Sequence, residues 1–114
     1  MIHIYGIKSC GSVQKAIKFF EYHSLHYTFH DFKLTPVERE KIEKWLTQTS
    51  LSILLNTKGT TYRTLGLKAL KLDESAQIEW LSKNNLLIKR PVIEYNNKLI
   101  VGYDISQYEG LLRS

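Results

Sequence analysis

Residues 1–32 read MIHIYGIKSCGSVQKAIKFFEYHSLHYTFHDF, and this stretch decides the fold. Met1 to Tyr5 is a short apolar run with Ile2 and Ile4 at strand spacing, and the glycine-bounded segment 6–11 is a loop. From about Ser12 the apolar residues Val13, Ala16, Ile17 and Phe20 recur at helical spacing, so one face of a helix packs on a sheet. Residues 27–32 are rich in aromatic and β-favouring types and give a second strand. A strand, a helix and a strand in this order form a right-handed crossover with the two strands parallel.

The rest of the chain completes a mixed sheet. Thr35, Pro36 and Glu38 carry the signals of a helix start, a capping hydroxyl, proline at the first helical position and an acid behind it, and that helix turns Ile42, Trp45 and Leu46 inward. An apolar stretch, 51–55, leads to a polar loop, 56–61, and then to residues 62–67. Asp73 caps a further helix that buries Ile78 and Leu81. Residues 91–95 and 98–101 are β-like runs around Asn96-Asn97, a pair suited to the left-handed angles of a tight hairpin. Ile105, Tyr108, Leu111 and Leu112 fit a closing helix. The expected architecture is α/β: a four-stranded mixed sheet with helices on its faces and a helical insertion between the β-α-β and β-β-α halves.

A chain of 114 residues, 43% hydrophobic, is expected to form one domain, 1–114, with the helical insertion at about 35–88. The single cysteine makes no internal disulfide, and no secretory signal or membrane-spanning run is present, so the expected location is the cytoplasm and no membrane partner is foreseen. The net charge is +5, but the sixteen Lys and Arg are scattered rather than grouped. Direct nucleic-acid binding is therefore not expected, and small anions are the better match if several bases converge. His3, His23, His26 and His30 lack metal-ligand spacing with Cys10 or the acids, so no metal site is proposed.

Cys10 stands where a strand hands over to a helix. The unpaired amides and positive dipole of that helix favour thiolate over thiol. A lone cysteine is by default a small core hydrophobe, but Lys8, Ser9, Gly11 and Ser12 around it argue against deep burial. Lys8 and Lys15 read first as surface charges and second as a cationic field on the thiol. Asn56, Lys58, Thr60 and Thr61 read equally as a loop closed by side-chain to backbone bonds and as part of a site; Gly59 serves backbone geometry, and Trp45 and Trp80 read as core.

Four blocks, IYGIKSCGSVQKAIKFFE, LLNTKGTTYRTLGL, LIKRPVIEY and VGYD, resemble the arsenate reductase (ArsC)/Spx family over essentially the whole chain, and within it the YffB-like branch. The resemblance implies a thioredoxin-like fold. It places Cys10 on the nucleophile, Arg90 on the arginine before the proline, and Pro91 on the proline that faces the cysteine, as a cis bond. Lys8, Gly11, Ser12, Asn56, Lys58, Thr60 and Pro91 are the expected substrate-binding residues. The implied activity is a glutathione-dependent thiol–disulfide reductase, with glutathione as co-substrate, no bound cofactor, a small thiol or disulfide substrate, and a monomeric chain.

Two departures qualify this. Asn56 and the sequence Val101-Gly102-Tyr103 stand where arsenate reductases of the family would have further arginines, so arsenate reduction ranks lowest. Val13 occupies the second position of the CxxC switch of the regulator branch, so oxidised Cys10 is resolved from outside. An Spx-like regulator that binds RNA polymerase is the alternative.

Overall fold

In the computed structural model, which describes residues 1–113, the described chain divides into two compact units, residues 1–31 with 90–113, and residues 32–89. The first contains β1 (Ile2–Gly6), α1 (Gly11–Tyr22), β2 (Tyr27–Asp31), β3 (Val92–Tyr95), β4 (Lys98–Val101) and α7 (Ile105–Leu111). The second contains α2 (Arg39–Trp45), α3 (Leu51–Leu54), α4 (Thr60–Leu65), α5 (Leu67–Leu70), α6 (Glu74–Lys83) and a 3-10 turn, Asn85–Leu87.

The sheet of the first unit runs β2-β1-β3-β4, parallel between β1 and β2 and antiparallel elsewhere. This is the thioredoxin-like arrangement. Strand alternation puts Ile2 and Ile4 on one face with Ile93 and Ile100, where Ala16 and Phe20 of α1 and Tyr108 and Leu111 of α7 complete a buried core. The other face carries Tyr5, whose hydroxyl donates to Glu94 Oε1 at 2.9 Å, and His3, whose Nδ1 lies 2.9 Å from His30 Nε2. The hairpin forms as expected, with φ of 45° at Asn96 and 65° at Asn97. Of the closing-helix residues, Tyr108 and Leu111 are buried, whereas Ile105 and Leu112 are exposed, because a helix of seven residues turns only one narrow stripe inward.

Two glycines set local geometry in the first unit. A Cβ on Gly6 would lie 2.6 Å from Val13 Cγ2, so the missing side chain lets α1 approach the end of β1. Gly102 has φ of 88°, where other residues are strained. There its N–H donates to the Pro91 carbonyl at 2.7 Å and its carbonyl accepts from the Tyr108 hydroxyl at 2.6 Å.

In the second unit α2 packs on α6, with Ile42, Trp45 and Leu81 buried. The helix expected from Thr35 begins only at Arg39. The buried Asn85 accounts for the delay: its Oδ1 accepts from Val37 N at 2.7 Å and its Nδ2 donates to the Val37 carbonyl at 3.2 Å and to the Leu81 carbonyl at 2.9 Å. The Val37 carbonyl, which a helix begun at Pro36 would pair with Lys41 N, is thereby engaged elsewhere, and the Val37 N–H is held by Asn85 in place of a capping hydroxyl. Asp73 caps α6 as expected, accepting from Ala76 N at 2.8 Å. Ile78 and Trp80 are only half-buried, and Trp80 lines a surface hollow with Ala76, Glu79 and Lys83. No helix among the described residues is long and apolar enough to cross a membrane.

Candidate active site

The loop between β1 and α1 delivers Cys10 to the helix start. Cys10 N donates to the Ile7 carbonyl at 3.2 Å, and Gln14 N donates to the Cys10 carbonyl at 3.0 Å, the first bond of the helix. The Gln14 side chain reaches back to the Lys8 carbonyl at 2.9 Å. Gln14 therefore pins the loop; its only sequence signal is an amide side chain in the first turn.

Cys10 is the N-cap of α1, with extended angles of φ −78° and ψ 126°, and is half-buried. Its sulfur closes no cap hydrogen bond of standard geometry, yet the Val13 and Ser12 amides and the Arg90 guanidinium lie near enough to favour the charged form. Burial raises the thiol pKa. Against it act, in decreasing order, the Val13 amide, hydrogen bonding from Arg90, the Ser12 amide and the positive charge of Arg90, and the net effect is a pKa below the ordinary thiol value. Arg90 is half-buried, directly before β3, and the Arg90–Pro91 bond is cis. Pro91 is buried.

The first unit therefore brings Cys10, Ser12 and Arg90 together, with Pro91 next in the chain. Lys8 and Gly11 flank the cysteine in sequence, and both are exposed. Asn56, Lys58 and Thr60 belong to the second unit. There Asn56 N donates to the Leu87 carbonyl at 2.8 Å, Lys58 offers its carbonyl to Arg63 at 3.2 Å, and Thr60 is the first residue of α4. Gly59 lies so close to Asn56 that a Cβ would sit 2.7 Å from Asn56 Nδ2. Lys15 has its Nζ 5.8 Å from the centre of the Tyr103 ring, a contact between residues 88 positions apart that periodicity does not reveal.

The arrangement suits nucleophilic sulfur chemistry: a reachable sulfur, donors that stabilise its negative charge, and a guanidinium able to hold an anionic group beside it. Among the described residues, no cluster of three or more His, Cys, Asp or Glu is arranged to hold a metal ion.

The model of the ArsC family matches residues 5–111, and the chain belongs to that family. An uncharacterized protein of Haemophilus influenzae is 32% identical over 110 residues, 96% of each chain. The solved structure of a YffB protein superposes with a TM-score of 0.90 at 33% identity, covering 96% of this chain and 97% of that one. The global transcriptional regulator Spx of Streptococcus mutans is 25% identical over 98% of this chain and 83% of its own length.

Proposed function

We propose that this ArsC-family chain is a glutathione-dependent thiol–disulfide reductase acting through the sulfur of Cys10. The observation that supports it is the set of donors at that sulfur, two helix-start amides and the Arg90 guanidinium, which together outweigh burial and favour thiolate. The thiolate attacks the glutathione sulfur of a mixed disulfide. A Cys10–glutathione disulfide forms, the original S–S bond breaks, and the substrate leaves as a thiolate that takes a proton from water. A second glutathione thiolate then attacks the glutathione sulfur of that adduct, producing oxidised glutathione and returning Cys10 as thiolate. Arg90 faces the sulfur in the resting state and holds a carboxylate of glutathione during attack. With no second cysteine in the sequence, the resolving thiol comes from solution.

Intact-mass measurement after incubation with oxidised glutathione tests this. The expected product is one reducible glutathione adduct, absent from Cys10→Ser. An unmodified wild-type chain under the same conditions speaks against the reductase.

The likeness to the global transcriptional regulator Spx favours a second reading, a regulator whose partner is RNA polymerase. Retention of the chain on purified polymerase without thiol reactivity would support it. For arsenate reduction, the neutral Asn56 and Tyr103 lead us to expect little or no arsenate-dependent turnover with glutathione.

A further inference from the structure

Two structural paths leave the surroundings of the Cys10 sulfur and meet again at one place on the first unit. One runs along α1, where Ser12, Lys15 and Phe19 follow at spacings of three and four and share a side of the helix. The other runs from Arg90 through Pro91, whose carbonyl accepts from Gly102 N at 2.7 Å, to Tyr103. They join where Lys15 Nζ lies 5.8 Å from the centre of the Tyr103 ring. Tyr103 is held from beneath: it meets Tyr108 edge-on at 5.6 Å, and Tyr108 is fixed by its bond to the Gly102 carbonyl and by Phe19 at 5.7 Å.

This leaves a cation resting on the ring of Tyr103, a residue that is 41% exposed. Lys15 makes no ion pair with any described residue. Asp104, next to Tyr103 in the chain, has each oxygen engaged in the first turn of α7, accepting from Gln107 N at 3.1 Å and from Gln107 Nε2 at 2.7 Å. Three residues of helix separate Lys15 from Ser12, a rise of roughly 4.5 Å. Arg90 acts on the sulfur directly, and Lys15 stands on α1 five residues beyond Cys10, with its charge at the Tyr103 ring.

We propose that Lys15 and Tyr103 form the seat for a carboxylate-bearing arm of the disulfide that Cys10 attacks, giving preference to acidic peptide disulfides over neutral ones. The inference rests on the reductase reading of Cys10. A short peptide thiol with a carboxylate at each end fits two separated cations: Arg90 takes one end near the sulfur, Lys15 swings from the ring to take the other, and the Tyr103 ring packs against the backbone between them. Lysine suits this role, because a point charge on a flexible stem follows a mobile carboxylate without the fixed geometry a guanidinium demands.

The test compares second-order rate constants for adduct formation at Cys10 with oxidised glutathione and with bis(2-hydroxyethyl) disulfide, which has no charge. Lys15→Ala is expected to lower the ratio of the two constants about 3- to 10-fold, the range between an exposed ion pair and a charge-assisted hydrogen bond. Lys15→Glu lowers it further and Lys15→Arg retains most of it. A ratio that stays at the wild-type value in Lys15→Ala and Lys15→Glu overturns the proposal while leaving the reductase intact. A wild-type chain that forms no adduct with either disulfide removes the reductase reading, and this inference with it.

Discussion

Around Cys10, burial and charge stabilisation oppose each other, and Arg90 contributes to the winning side both as a hydrogen-bond donor and as a charge. Arg90→Gln keeps donors but loses the charge, so the pH midpoint of iodoacetamide labelling at Cys10 should rise; an unchanged midpoint would show that the guanidinium does not act on the sulfur. The same depression of the pKa links to stability. Because the folded thiol ionises at lower pH than the unfolded one, the thiolate's stabilisation is fully present above about pH 8.5, the free value, and is lost as pH falls through the folded pKa. Urea titrations across that window should show this loss in the wild type and not in Cys10→Ser. Cys10 was legible in the sequence because a lone thiol between a strand run and a helical pattern has few other places to be. Arg90 was legible only through family resemblance, since no periodicity connects residues 10 and 90. Gln14 and the Lys15–Tyr103 contact depend on backbone positions that only the folded loop creates.

The close approach of α1 to β1 makes the site an element-level property. Gly6→Ala would press a methyl group onto Val13, at a cost of about 1–3 kcal/mol. Denaturant midpoints should show that loss, and a less than additive effect when Gly6→Ala is combined with Val13→Ala, which opens space; additivity would mean the two side chains do not meet. At the hairpin, Asn97→Val puts a β-branched residue at φ of 65° and should cost about 1–2 kcal/mol by the same measurement. Here the sequence spoke clearly, because Asn-Asn between two β-like runs is a local signal with a local cause. The start of α2 is the reverse case. Thr35, Pro36 and Glu38 carry sound capping chemistry, but Asn85, 48 positions away from Val37, binds both backbone groups of that residue and keeps the helix from starting there. Capping patterns register neighbours three residues off and are silent about such a partner.

For the molecule as a whole, the alternation of strands and helices was readable, and the mixed sheet follows from it. The middle helices were harder to delimit, because α3 and α5 have four residues each, too few for a helical period to declare itself. The net charge of +5 acts at this scale. Attack on oxidised glutathione, an anion, should slow as salt is raised from about 0.01 to 0.15 M, where the screening length falls from roughly 30 to 8 Å; attack on an uncharged disulfide should change far less, and equal salt dependence would remove long-range attraction from the explanation. Whether the fold holds a reactive sulfur is tested most directly by the pH dependence of iodoacetamide labelling on the intact chain. Labelling confined to Cys10, with a midpoint clearly below the free-thiol value of about 8.5, is the predicted result. A midpoint at or above that value, or labelling that persists in Cys10→Ser, would contradict it.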